Sequence, residues 1–461
     1  MPGSPAPLHL DALGPSGPYR AQAREVVHDV TGRPVAELSM VPRLYVQRGL
    51  AALRRAETLP PDERVPALAE AGRLFATATL NGMTAGQYEH AVARVSGLPI
   101  TMVRESTAGI AAGLAGAYGF AGQARPRGSR DTSNGAGTAV WIRRGDVLAV
   151  LAAGNHPGIH AQWAEALALG YRVAVRPSRR EPLSAHRLVT ALHEAGFGTD
   201  RVVLLPTDHG VADDLVGGAD LAVVYGGDDV VDKYRSSTAV LPHGPGRAKI
   251  LITADTDFTR HLDTIVDSVS REAGAACVNA TAVFVEGDPA PVAEALADRL
   301  AGLPALPPED DRAVLPVRGL DAARNLEKFV HSEAAGARAW LGGDTIVAEL
   351  GDGAAALRPA VFQLDRADAP QARLEMPFPC VWVAPWSRAD GLAPLRDTIV
   401  LTALTSDRDL VGRLLDEPTV RNLHVGDHPT HVLVPGLPHD GYLGEFLMRS
   451  KTFTDAAPAA P

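Results

Sequence analysis

The chain has 461 residues, 46% of them hydrophobic and 21% charged, with a net charge of −10. That length exceeds what one core organises and implies two or three folded domains, while the composition excludes wholesale disorder. The acidic balance leaves no basic footprint for nucleic acid, so a small anionic ligand would have to be met by local arginines.

In chain order, residues 1–18 and Asp455–Pro461 are rich in Pro, Ala and Gly and are expected to be loose. The opening Met1-Pro-Gly-Ser-Pro-Ala-Pro lacks the basic and apolar regions of a signal peptide, and no apolar run is long enough to span a membrane. A cytoplasmic protein is the expectation. Apolar residues at three and four spacing predict helices from Leu44 to about Gly119. The polar, Gly-rich stretch Arg125 to Gly137 suits an exposed ribbon or loop.

A regular alternation then begins. Asp146–Ala152, Tyr171–Val175, Val202–Leu205 and Leu221–Tyr225 read as buried strands, with helices over Gln162–Leu169, Leu183–Ala195 and Val211–Val216 between them. Continuous apolar strands alternating with helices predict an α/β fold with a parallel sheet covered on both faces. Ligands on such sheets gather at the carboxyl ends of the strands, here Gly154-Asn155-His156-Pro157, Arg176-Pro177-Ser178-Arg179-Arg180 and Tyr225-Gly226-Gly227-Asp228. No G-x-G-x-x-G occurs. A second α/β series runs from about Lys249 to Val425.

One of only two cysteines, Cys277, lies in the Gly/Ala loop Arg271-Glu-Ala-Gly-Ala-Ala-Cys277-Val-Asn279, between a helix expected over His261–Val269 and a strand over Thr281–Val285. Small neighbours leave a sulfur open to attack on a substrate, and a thiolate is the strongest nucleophile among ordinary side chains. Cys380, opening the apolar run Cys380-Val-Trp382-Val, reads as core; Trp382 and Trp386, near Glu375, are candidates either for lining a substrate tunnel or for the strand core. Two cysteines make no disulfide framework, and no His or Cys spacing proposes a metal.

Taken in order, Gly154-Asn155-His-Pro, Arg176-Pro-Ser178-Arg-Arg-Glu-Pro-Leu-Ser-Ala, Tyr225-Gly226-Gly227, Cys277, Glu375-Met-Pro-Phe-Pro and the closing Gly444-Glu-Phe-Leu-Met-Arg-Ser-Lys451-Thr-Phe resemble the aldehyde dehydrogenase superfamily from about Leu44 to Phe453. The resemblance implies a Rossmann-like NAD(P)-binding domain over residues 19–123 and 145–245, and a catalytic domain over 246–429. It also implies an oligomerisation ribbon and tail over 124–144 and 430–454, and hence a homodimer or homotetramer. Cys277 is then the nucleophile, with the Asn155 amide and the Cys277 N–H holding the oxyanion. Glu375 would fix the nicotinamide ribose, and Gly154, Arg176, Ser178, Gly226 and Gly227 would line the cofactor.

Two departures carry information. Where NAD-preferring relatives often carry Glu, this chain has Arg179, so no carboxylate stands at that position for a ribose 2′-hydroxyl, and NADP is favoured over NAD. Where hydrolytic relatives carry the water-activating Glu of E-L-G-G-K, this chain has His243. Its loss resembles the acylating branch, in which a thiol such as coenzyme A exchanges with the acyl-enzyme, so that an acyl thioester and an aldehyde interconvert. Three readings stay open: that acylating chemistry; hydrolytic oxidation of an aldehyde to an acid, with His243 or a water network as base; and a non-catalytic binding protein on the same fold.

Overall fold

Strands whose side chains are apolar on both faces must be covered on both faces, and this requirement organises the molecule. The computed structural model describes residues 8–130 and 138–454. One sheet orders its strands Val240–His243, Leu221–Tyr225, Val147–Leu151, Arg172–Arg176 and Val202–Leu204, all parallel, and then adds the antiparallel hairpin Ala12–Gly14 and Gly17–Tyr19. The order reverses between Leu221–Tyr225 and Val147–Leu151, which opens a crevice at their carboxyl ends. A second seven-stranded sheet is built around the parallel neighbours Ala248–Ile252, Ala280–Glu286 and Cys380–Trp386. Trp382 is fully buried there against Phe362, and Cys380 is core beside it.

The helices expected before Gly119 are Arg43–Arg55, Pro61–Thr77, Ala85–Ser96 and Ile100–Gly122. The third shows how its ends are set. Thr84 and Gln87 form a reciprocal capping box, and Gly97, at φ 72°, ends the helix in the left-handed conformation. Gly97 has a second role, since its carbonyl accepts the Val317 N–H at 2.7 Å across to the small sheet Val317–Gly319, Ala354–Leu357 and Val347–Glu349.

Three expectations need correction. Residues 8–18 are not loose: Leu8–Leu10 pairs with Pro34–Ser39, Leu13 pairs with Leu204, and Leu10, Ala12 and Leu13 are buried. The glycine there serves a hairpin turn, with Gly17 at φ 93°, rather than disorder. The helix expected over Gln162–Leu169 is only Ala164–Ala168, preceded by the tight turn Pro157–Ala161. The helix from Leu183 stops at Leu192 and widens into a turn closed by Gly196 at φ 107°. Residues 1–7, 131–137 and 455–461, which include part of the expected ribbon and the expected loose C-terminal segment, lie outside the described residues. The flanking strand Thr138–Arg143 pairs antiparallel with Met448–Phe453 along its length. Among the described residues, no helix is long and apolar enough to cross a membrane.

Gly97 offers a direct check on this assembly. A Cβ there would lie 1.9 Å from the Val317 carbonyl oxygen, on backbone that is already left-handed. Gly97→Ala should therefore destabilise by about 2 kcal/mol or more, read as a lower denaturant midpoint at unchanged slope. An unchanged midpoint would show that the helix end and the small sheet do not hold each other in place.

Candidate active site

The chain leaves the first sheet at His243 and enters the second at Ala248, and this short crossing brings the two halves of the site together. Parallel pairing of Ala248–Ile252 with Ala280–Glu286 sets their leading residues side by side, Gly246 against Cys277. A Cβ on Gly246 would fall 1.9 Å from the Cys277 carbonyl oxygen, so only glycine permits this approach. The Gly246 N–H donates to Glu375 Oε2 at 2.9 Å. Burial pushes the Glu375 carboxyl up to about 7, against the pull of the backbone N–H groups of Arg247 and Gly246.

The loop that presents Cys277 is strained and pinned. Glu272 and Ala273 hold φ of 53° and 56°, and Gly274 follows at 62°. Left-handed backbone costs an L-residue roughly 1–2 kcal/mol, so neighbours must enforce it. They do so from three sides. Glu272 Oε2 meets His156 Nε2 at 2.7 Å, while His156 Nδ1 accepts the Gly158 N–H, which leaves Nε2 as the donor. Asn279 accepts the Ala276 N–H at 2.9 Å and donates to the Arg271 carbonyl at 2.7 Å, bracing both ends. Pro379 packs so close to Gly274 that a Cβ there would lie 2.3 Å from its nitrogen.

Asn155 follows the strand Val147–Leu151 and donates Nδ2 to the Ala275 carbonyl at 3.3 Å, two residues before Cys277. His243 also reaches the centre. Its ring stacks on Tyr225 at 4.8 Å, and its Nδ1 lies 2.6 Å from Asp440 Oδ2. Asp440 and its neighbour His439 escaped the sequence reading. His439 Nε2 lies 3.8 Å from Cys277 Sγ, and its Nδ1 is 3.3 Å from Asp440 Oδ2. Burial opposes charge on the His439 ring, but hydrogen bonds with Asp440 and Cys277 outweigh it and push the imidazole up to about 10. Burial likewise opposes the Asp440 charge, yet His243 and His439 hold that carboxyl well below the usual range. The local signal Pro438-His439-Asp440-Gly441 marks only a turn, and the 162 residues separating it from Cys277 conceal the contact.

His439, Asp440, His243 and Tyr225 line a cavity of about 540 Å³ whose wall is mostly apolar, with Phe120, Leu241, Leu437 and Phe446 among its residues. Trp382 and Trp386 do not reach it and are core. Among the described residues, no group of three or more His, Cys, Asp or Glu could hold a metal ion.

The remaining predicted residues lie at the crevice of the first sheet. Arg176 is buried at the carboxyl end of its strand. Its Nε donates to the Thr207 carbonyl at 3.0 Å, and its Nη2 is a buried donor with no partner. Such an orphan donor fits an oxygen-rich group such as a cofactor ribose. Gly154 lets two turns meet, since a Cβ there would lie 2.2 Å from Ser178 Oγ. Gly226 is packed against Val230, and Gly227 precedes a helix opening with Asp228 and Asp229, acidic groups unsuited to an adjacent phosphate. Position 179 is not acidic, but a carboxylate from elsewhere in the chain stands beside Arg179. Glu25, from the strand Arg24–His28, meets Arg179 Nη1 at 3.1 Å. The pairing of that strand with Pro34–Ser39, invisible to local reading, delivers it.

Residues 20–393 match the sequence model of the aldehyde dehydrogenase family. Solved structures are similar over almost the whole chain. A point mutant of the 1-pyrroline-5-carboxylate dehydrogenase of Thermus thermophilus aligns with a TM-score of 0.82 at 17% identity, covering 97% of this chain and 93% of its own. An aldehyde dehydrogenase of Physcomitrella patens, in complex with the reaction product succinate, gives 0.83 at 16% identity, with 98% and 100% covered. Lactaldehyde dehydrogenase from Escherichia coli gives 0.82 at 18%, with 97% and 99% covered. The chain belongs to the aldehyde dehydrogenase family, the NAD(P)-dependent enzymes that oxidise aldehydes.

Proposed function

We propose that this enzyme is an acylating member of its family, interconverting an aldehyde and an acyl thioester through a thiohemiacetal and thioester on Cys277. One observation carries the reading. The position from which a carboxylate would activate water holds His243, whose Nδ1 is committed to Asp440 and whose ring is stacked on Tyr225. A thiol acceptor, with coenzyme A as the candidate, needs less activation than water because thiols ionise far more readily. In this reading Cys277 attacks the carbonyl carbon. The Asn155 amide, released from Ala275, and the Cys277 N–H receive the developing oxyanion. The mostly apolar cavity supports an aldehyde or acyl group with an apolar chain.

A bound NAD(P) supplies the hydride acceptor or donor, and Glu375, Arg176 and Ser178 would hold it with the turn at Gly154. NADP remains the favoured form. Arg176, Arg179 and Arg180 crowd one corner, where Glu25 and Asp208 offer only partial compensation. The Arg179–Glu25 pair is more than a third exposed on each side and is therefore weak enough to open for a 2′-phosphate. The edge strand Met448–Phe453 supports a homodimer or homotetramer, since an edge strand is a template for pairing with another chain.

If a thiol is the acceptor, mixing enzyme, NADP⁺ and an aldehyde should give a burst of about one NADPH per site, with steady turnover only after coenzyme A is added. Cys277→Ser should abolish the burst while leaving cofactor binding intact. Steady turnover without thiol would overturn the acylating reading in favour of hydrolysis.

Gly246→Ala should lower the denaturant midpoint, and in the protein that folds kcat should fall on the order of a hundredfold. The added methyl must push the Cys277 loop out of line, and misplacement by about 1 Å carries that penalty. Near-parental kcat would mean that Cys277 is not positioned through this contact.

Arg179→Glu should shift preference toward NAD by repelling the 2′-phosphate, whereas Glu25→Gln should tighten NADP binding. A parent that prefers NAD would instead assign Glu25 to the ribose hydroxyls.

A further inference from the structure

We propose that His439, steadied by Asp440, is the acid–base partner of Cys277: it holds the thiol proton in the free enzyme and takes the acceptor's proton when the acyl group leaves sulfur. The proposal rests on Cys277 being the nucleophile but is indifferent to whether the acceptor is a thiol or water. Its basis is a chain of contacts. Cys277 Sγ faces His439 Nε2 at 3.8 Å, the ring's other nitrogen faces Asp440 Oδ2 at 3.3 Å, and the same carboxylate oxygen is anchored by His243 at 2.6 Å. A nucleophile, a base within reach and a third group that orients the base are the parts an activated nucleophile needs. The Asn422 amide also fixes the loop by donating to the His439 carbonyl at 2.6 Å, so the ring is held from its backbone as well.

The surrounding charges favour a proton on the imidazole. Besides Asp440 and His243, the titratable neighbours are Tyr225 above the His243 ring, Glu105, Glu165, Glu272, Glu445, Tyr442 and His156 on the cavity lining, and Arg421, a cation that donates to the Asp440 carbonyl at 2.9 Å. Asp440 is the carboxylate that contacts the ring directly. His243 thereby acquires a positioning role, holding Asp440 rather than replacing the missing carboxylate of hydrolytic relatives.

When Cys277 becomes a thioester, the anion beside His439 disappears, and the imidazolium releases its proton to water in the cavity. The neutral ring then accepts the proton of an incoming X–H. The X–C bond forms and the S–C bond breaks, and that electron pair returns to sulfur, which restores the thiolate–imidazolium pair. No redox change occurs in this exchange.

The test uses full-length enzyme and two readouts that need no cofactor. Iodoacetamide reports on Cys277 because Cys380 is buried with its thiol pushed up by desolvation, and Cys277→Ser supplies the blank. Parent enzyme should alkylate at a rate nearly independent of pH between about 6 and 9. His439→Gln should show an ordinary thiol profile, with a rate about thirtyfold lower near pH 7, given a free-thiol pKa of about 8.5. Transfer of an acyl group from a simple aryl thioester, through Cys277, to an added thiol should slow at least a hundredfold in His439→Gln and less in Asp440→Asn. A parental alkylation profile or a parental transfer rate in His439→Gln overturns the proposal. If that variant does not fold, Asp440→Asn decides: a raised dependence of alkylation on pH supports it, and an unchanged profile overturns it. Retained dehydrogenase turnover in Cys277→Ser would instead remove the nucleophile assignment, a failure distinct from that of His439.

Discussion

The contact on which the site depends is backbone against backbone, Gly246 against Cys277. Two parallel strands of the second sheet begin there, and one of them is the direct continuation of the chain leaving the first sheet at His243. Because the crossing is so short, the carboxyl edge of one sheet is held against the amino edge of the other. The crevice of the first sheet, where an α/β fold binds its ligand, then opens toward Cys277. Glu375 reads the same contact by accepting the Gly246 N–H. A carboxyl from a distant loop, a glycine between sheets and the candidate nucleophile thus share one geometry. Side chains elsewhere tolerate substitution through repacking, but a carbonyl oxygen facing a Cα has no comparable freedom.

Around that contact the protein holds unfavourable local states in place. Two non-glycine residues stay left-handed before Cys277, and Glu375 and Asp440 lose much of their hydration. Each costs on the order of 1–3 kcal/mol or more unless it is compensated. Compensation is specific: His156 for Glu272, Asn279 for the loop ends, His243 and His439 for Asp440. A loop held this way cannot relax when substrate arrives, which is the condition for a preorganised site.

The fold was legible where chemistry is local. Apolar runs such as Val147–Leu151 and Leu221–Tyr225, bounded by turn residues, read as covered strands and are strands, and their carboxyl ends open on a crevice. Local reading failed where meaning depends on pairing. The Pro- and Gly-rich start is a hairpin because Leu13 finds Leu204, a partner far along the chain. Glu25 meets Arg179 for the same reason. In the site, Cys277, Asn155 and His243 could be picked out because each stands at a motif; the fold sets Asn155 on the Ala275 carbonyl and His243 on Asp440. His439 and Asp440 could not, since a His-Asp pair between Pro and Gly reads as a turn until the fold carries it to the sulfur.

The exchange at position 243 acquires its meaning from that unseen pair. A carboxylate at 243 would lie against Asp440 in a partly desolvated pocket, and two such anions cannot both stay ionised there. An imidazole resolves the conflict by donating to Asp440, and Asp440 is then free to orient His439. In this chain His243 and His439 therefore share one carboxylate oxygen of Asp440. Restoring Glu at 243 alone would set like charges together and unseat His439, so the two loops constrain each other as one electrostatic unit.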